Sequence, residues 1–220
     1  MELDGALCDD DQVPISVAVR VCPPPGSGPH LLPPNICVQV NTVTNELHLG
    51  PERRFVYDCV FGPNTCQEDV FATSVEPLLT PLLDGYNVTV AAYGAAGTGK
   101  THTLVGPGPS LGPVVEEESF GLVPRAVRSL FAAVQAQAGS VAAAAVEVEF
   151  VEIHNEEIRD LLSESLATVY LDQDGTGATV MPGVTSVRCV DTTEVLACLE
   201  MGGSLHHQCR NISNISDFPY

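Results

Sequence analysis

Positive charge is what this chain has least of: nine basic residues stand against 28 acidic ones among 220, a formal net charge of −19. A single lysine, Lys100, accompanies eight arginines strung thinly from Arg20 to Arg210. With no basic patch and a long-range field that repels polyanions, nucleic acid and anionic membrane are excluded as partners. No apolar run approaches the ~20 residues that a spanning helix needs. The opening MELDGALCDDD is acidic where a secretory signal is basic and then apolar. The eight cysteines form no CxxC pair and no Cys/His cluster at zinc spacing, which sets metal binding through them aside. They read as small buried hydrophobes in a reduced, cytosolic setting, and the sequons at Asn87, Asn211 and Asn214 then read as chance matches. No heptad run is present, so oligomeric state is not legible.

What is present suits one α/β domain, since 220 residues at 45% hydrophobic allow one sizeable core and are short for two. Val13, Ile15, Val17, Val19 and Val21 alternate, which predicts a strand over 13–21. The Pro/Gly-rich residues 22–35 predict a loop, and ICVQV with VTNELHL predicts a hairpin turning near Asn45. Phe71, Val75, Leu78, Leu79, Leu82 and Leu83 keep helical spacing between Thr65, which can cap, and Gly85, which can terminate; Pro77 and Pro81 each remove an internal hydrogen bond. NVTVAAY (87–93) has the length and apolarity of a buried central strand. An acidic loop over 106–119, with Glu116, Glu117 and Glu118, precedes a helix over 121–138 spaced by Val123, Ala126, Val127, Leu130, Phe131 and Val134. A strand near 145–153, a short helix near 155–162, strand pieces around 168–190 and a helix near 193–201 follow. Strands alternating with helices predict a largely parallel sheet covered on both faces.

Between the predicted strand 87–93 and a following helix lies Gly94-Ala95-Ala96-Gly97-Thr98-Gly99-Lys100-Thr101, which fits G-x-x-x-x-G-K-[ST]. With 19 glycines in 220 residues, the one lysine acquires this pattern by accident roughly one time in a thousand. The spacing has a chemical reason. Glycines let backbone N–H groups turn inward around the phosphates, and the helix N-terminus adds a potential that favours an anion. Lys100 supplies a point charge to the phosphates, and the Thr101 hydroxyl is placed to ligate Mg²⁺ beside water and phosphate oxygens.

The flanking residues carry a resemblance. NVTVAAYGAAGTGKTHTLVG (87–106) resembles the N-x-T-V-x-A-Y-G-Q-T-G-x-G-K-T-x-T-M segment of the kinesin family, and Arg20-Val21-Cys22-Pro23 resembles that family's opening R-x-R-P. FVYDCVFGPNTCQEDVF (55–71), GLVPRAVRSLF (121–131) and FVEIHNEEIRDLL (150–162) resemble three further family segments in the same order. Residues 182–202 look like the stretch leading to the family's first switch, so the likeness covers about 13–205, leaving an acidic extension over 1–12 and a divergent tail over 206–220. It leans towards the chromosome-associated and cilium-associated branch.

The resemblance implies a P-loop NTPase-like α/β fold, a central sheet with helices on both faces, incomplete relative to a full kinesin motor domain. It implies ATP and Mg²⁺ as ligands, microtubules as the track, and a place in the cytoplasm at the cytoskeleton. Carried over, Gly94 to Thr101 hold the phosphates, Arg20 and Pro23 lie on the adenine side, and His102 packs against the base. Cys22 stands where the family has a second arginine, and Ala95 and Ala96 stand where it has Gln and Thr. By their residues alone, Arg20 reads equally as a solvated charge at a strand end, and His102 more readily as a packed or surface histidine. His154, Asn155, Glu156 and Glu157 read as a structural strand-to-helix turn, and His206 and His207 as surface histidines. The family's N-x-x-S-S-R-S-H and D-L-A-G-S-E switches have no match in these residues, so motility is not expected of them alone. The other readings are a non-catalytic truncated product and another P-loop NTPase.

Overall fold

The computed structural model describes residues 15–23, 37–106, 117–138 and 146–216, with side chains of the last helix described as far as Ser204. The predicted extension 1–12, most of the Pro/Gly-rich and acidic loops, and the side chains of His206 and His207 lie outside the described residues. The chain divides into two compact units, Met1–Ser74 and Val75–Tyr220.

In the first unit, β1 (Ala18–Arg20) pairs in parallel with β5 (Cys59–Phe61), Ala18 opposite Cys59 and Arg20 opposite Phe61. The predicted strand is longer than the observed one because its partner spans three residues before Gly62, and Ile15 is left 89% exposed. β2 (Val38–Asn41), β3 (Glu46–Leu49) and β4 (Arg53–Val56) form an antiparallel meander. The turn near Asn45 stands as predicted. Asn45 adopts φ 53°, a left-handed conformation that Asn tolerates. Its side chain then ties the meander to the next strand, Nδ2 donating to Asp58 O at 2.7 Å and Oδ1 accepting from Val60 N–H at 3.2 Å. α1 (Gln67–Ser74) turns Val70 and Phe71 into the core that Val60 and Phe61 supply from β5.

The single helix predicted over 65–85 is instead two, α1 and α2 (Glu76–Leu83). Pro77 explains the break: its ring occupies the place of the N–H that would bond Thr73 O. Sitting in the first turn of α2, it leaves no bond unmade. Cys66 rather than Thr65 stands at the start of α1, its Sγ accepting the Asp69 N–H at 3.4 Å. Gly85 terminates α2 at φ 96°, with Tyr86 N–H reaching back to Pro81 O at 3.0 Å.

The second unit holds its core between α4 (Leu122–Ala138), the antiparallel pair β6 (Val146–Val148) and β12 (Val187–Cys189), and α5 (Thr192–Ser216). Val127, Phe131, Leu162, Cys189, Val195 and Cys198 are buried together there. α5 starts on an aspartate N-cap, Asp191 Oδ1 accepting Glu194 N–H at 2.9 Å, while Glu194 Oε2 reaches back to accept Val190 N–H at 2.8 Å. It runs past the predicted end at 201 into the stretch read as a divergent tail. Gly202 does not end it; the Phe150 ring fills the space where a Cβ would stand, so the helix passes the ring at a glycine.

Four predictions are corrected here. The residues near 155–162 form no helix: β7 (Val151–His154) and β8 (Glu157–Asp160) make a hairpin, extended by β9 (Thr168–Val169). Asn155 at φ 49° and Glu156 at φ 66° are the two left-handed central residues that a tight hairpin turn with the right strand twist requires. A small hairpin of β10 (Asp172–Gln173) and β11 (Thr179–Val180) follows. The strands do not form one parallel central sheet, but five sheets of two or three strands, in which β1 with β5 is the parallel pair among the described strands. Residues 87–93 form neither helix nor strand and have no ladder partner among the described residues, and Val90 and Tyr93 are 44% and 102% exposed. A buried parallel strand needs neighbours on both edges and cover on both faces, and among the described residues 87–93 has no strand neighbour and no fully buried side chain. The cysteines, finally, are not uniformly buried: Cys22, Cys37 and Cys66 are exposed and Cys59 is half-buried, while Cys189 and Cys198 are buried. No helix among the described residues is long and apolar enough to cross a membrane.

Candidate functional site

The phosphate-type loop leads into α3 (Lys100–Leu104), and its glycines are used where the motif expects them. Gly97 and Gly99 take φ 77° and 91° on either side of Thr98, left-handed conformations that glycine adopts without strain, and the Thr98 N–H donates back to Ala95 O at 3.4 Å. At Gly94 a Cβ would stand 2.6 Å from Thr98 Oγ1, so only glycine allows the loop to close there. Lys100 Nζ donates to Gly94 O and Ala95 O, both at 2.8 Å, and Thr98 Oγ1 donates to Ala95 O at 2.9 Å. The ammonium group of Lys100 and the exposed Thr101 at the second position of α3 are donor groups of the kind that a phosphate chain with a divalent cation requires. His102 is exposed on the same short helix.

The loop is positioned by backbone packing that sequence reading did not isolate. Gly121, at the entry to α4, donates to Val105 O at 3.1 Å, and a Cβ on it would stand 2.6 Å from the Leu104 carbonyl carbon. Gly106 is equally close to its neighbours, 2.6 Å from Ser119 O by the same measure. Arg125 locks the crossing, Nε donating to Phe120 O at 2.9 Å and Nη2 to Glu118 O at 3.1 Å, while Arg128 lies 5.5 Å from the centre of the Phe120 ring. The signal was present in GLVPRAVRSLF, whose glycine and first arginine are these residues.

Arg20 and Pro23 belong to the first unit. Arg20 Nη1 donates to Gln67 Oε1 at 2.8 Å and Nη2 to Thr65 O at 3.4 Å, tying β1 to the start of α1. Burial pulls its guanidinium pKa down, and the nearby Cys22 and Cys66 act in the opposite sense. It is therefore not a solvated charge. His154 and Glu157 face each other across the β7–β8 hairpin, a structural place as expected, although the turn joins two strands. The first unit also carries an open hollow of about 450 Å³ between Asn45, Phe61, Thr65 and Asp69.

The kinesin motor domain model matches residues 34–214. The chain is 34% identical over 202 residues to the kinesin-like protein KIF27 of Homo sapiens, covering 90% of this chain and 14% of that protein. It is 34% identical over 205 residues to KIF7 of Mus musculus, with the same shares, and 33% identical over 172 residues to KIN-5A of Arabidopsis thaliana, covering 74% of this chain and 16% of that protein. The chain thus spans about one seventh of the length of the first two relatives. With the family model over residues 34–214 and agreement over nine tenths of its own length, the chain belongs to the kinesin motor-domain family.

Proposed function

We propose that residues 13–205 are the nucleotide-binding front of a kinesin-type motor domain, and that residues 94–101 hold the phosphates of ATP with Mg²⁺. The observation that carries this reading is the position of the chain's one lysine, whose Nζ reaches across a glycine-turned loop to Gly94 O and Ala95 O. ATP is a polyanion, and the same ammonium can exchange its two carbonyl partners for phosphate oxygens. Backbone N–H groups of Gly97, Thr98 and Gly99 supply neutral donors, and the Thr101 hydroxyl ligates the cation. Arg20 and Pro23 serve the adenine side and His102 the base, with Arg20 keeping its hold on Gln67. Movement along microtubules, at the cytoskeleton in the cytoplasm, is proposed as the activity that a motor segment of this family serves. Turnover is not proposed for these 220 residues, which match neither switch pattern; those switches orient water and stabilise charge on the departing γ-phosphate.

A second reading, a non-catalytic truncated product that binds no nucleotide, is favoured by residues 87–93, which find no strand partner among the described residues just before the loop. Mg²⁺-dependent binding of a fluorescent ATP analogue, with turnover recorded with and without microtubules, separates the two. Binding that disappears in Lys100→Ala is the expected result. A folded wild-type chain that binds nothing sinks the proposal.

A further inference from the structure

Two cysteines that the phosphate site does not use meet inside the second unit. Cys189 ends β12, Cys198 stands in the second turn of α5, and their sulfurs lie 3.9 Å apart. Cys189 is 0% and Cys198 5% exposed, and Val127, Phe131, Leu162 and Val195 are buried in the same cluster. That separation is a contact between unbonded sulfurs, whereas a disulfide holds them at about 2.05 Å. Closing the remaining ~2 Å falls to rotations of the two side chains about χ1. Little opposes that movement, since the other hydrogen bond of Cys189 Sγ is a weak thiol donation to Val187 O at 3.7 Å. The two residues flank the Asp191 cap at which the chain turns from strand to helix, so a bond between them would fasten α5 to the strand it follows.

We propose that Cys189 and Cys198 are an oxidative modification site: hydrogen peroxide converts the pair to a disulfide that clamps α5 onto β12. Cys198, the less completely buried of the two, meets the oxidant first. Its thiolate sulfur attacks one peroxide oxygen, the O–O bond breaks, the departing hydroxide takes up the thiol proton as water, and Cys198 becomes a sulfenic acid. The Cys189 sulfur, giving up its own proton, then attacks the Cys198 sulfur; the S–O bond breaks and a second water leaves. Two thiols and one peroxide thus yield one disulfide and two waters. Contact between the sulfurs favours this closure over further oxidation of Cys198. Burial first, then Cys198, pushes the Cys189 thiol up to about 11, so the pair stays reduced through brief exposure and closes over hours rather than seconds. The site is separate from the phosphate loop, and its test stands whatever that loop binds.

The experiment takes the folded, reduced 220-residue chain, blocks its accessible thiols with N-ethylmaleimide and then adds dilute hydrogen peroxide. Glu-C protease cuts after Glu164, Glu194 and Glu200, which puts Cys189 in peptide 165–194 and Cys198 in peptide 195–200. A non-reducing digest should show these two peptides joined, two hydrogens lighter than their sum, and dithiothreitol should part them. The proposal is overturned if both thiols remain free after prolonged exposure, if Cys198 alone gains two or three oxygens, or if the joined peptides form only when peroxide is added in urea. The clamp has its own readout. Closing the short loop from Cys189 to Cys198 should favour the folded state about tenfold or more, seen as a higher urea midpoint in the oxidised than in the reduced chain. Equal midpoints in a chain shown to carry the bond overturn the clamp. In Cys198→Ser the joined peptides should be absent; if that variant does not fold, the comparison of oxidised and reduced wild type decides alone.

Discussion

Two stretches of the second unit contrast sharply. Around Cys189, side chains from α4, β12 and α5 are packed until none of Val127, Phe131, Val195 and Cys198 is more than 9% exposed. Residues 87–101 carry the strongest chemical motif in the chain and bury almost nothing, with Tyr93 fully exposed. One stretch is held by apolar area, the other by backbone conformation and by the hydrogen bonds of Lys100 and Thr98. The contrast shows that stability and recognition draw on different residues here. A phosphate loop needs left-handed glycines, aimed N–H groups and a cation, none of which contributes to a hydrophobic core.

The largest test of that division is Phe131→Ala. Phe131 is 4% exposed at the centre of the cluster, and truncating a buried phenylalanine costs about 3–5 kcal/mol. Urea unfolding followed by circular dichroism should show that loss; a cost below about 1 kcal/mol would mean that the cluster does not hold the unit together.

Asp160 gives the next effect. It is fully buried, its Oδ1 accepting Leu162 N–H at 2.9 Å and its Oδ2 accepting Thr185 N–H at 2.7 Å. Burial works to raise its pKa, but hydrogen bonds from Thr185, Leu162 and Ser163 together hold it below the ordinary 3.8. A carboxylate whose pKa is lower folded than unfolded stabilises the fold above the unfolded value. That contribution is lost as the pH falls below 3.8 towards the folded value. Asp160→Asn sets an amide donor against one of those N–H groups and should cost about 2–3 kcal/mol at neutral pH. It should also flatten the acid limb of a stability–pH curve; an acid limb as steep as wild type would assign the pH dependence to other carboxylates.

Much of this was legible before the fold was known, for identifiable reasons. The phosphate loop and α4 were readable because one is a fixed local pattern and the other a long run at helical spacing, Val127 and Phe131 included. The β7–β8 hairpin was missed because FVEIHNEEIRDLL has apolar residues compatible with either period, and the decision lay in the backbone of Asn155 and Glu156. The split at Ser74 was half seen: Pro77 was noted as a lost bond but not as a place where a helix restarts. The parallel sheet was inferred from the alternation of strands and helices, yet alternation says nothing about which strands find partners. Gly106 and Gly121 could not be singled out by composition, since their role is a backbone crossing between residues distant in sequence.

The cysteines sharpen the contrast by reactivity. Cys189 and Cys198 lie with their sulfurs 3.9 Å apart in the core, and burial first, then Cys198, pushes the Cys189 thiol up to about 11. Cys22, Cys37 and Cys66 are exposed. A thiol reagent at neutral pH should modify those three quickly and reach Cys189 and Cys198 only on unfolding, read by peptide mass. Labelling of Cys189 at the pace of Cys66 would show a core that opens readily, and the packed half of the comparison would fall.

The smallest expected effect tests the other half. Tyr93 stands immediately before the phosphate loop with its whole side chain in solvent. Tyr93→Ser should therefore change stability by no more than about 0.5 kcal/mol, as substitutions at exposed positions do. Its nucleotide affinity should follow the wild type, because neither the glycines nor Lys100 depends on the ring. A loss of several kcal/mol in the same urea titration would mean that 87–93 packs as the buried central strand its composition suggests. Motif and core would then be one structure rather than two.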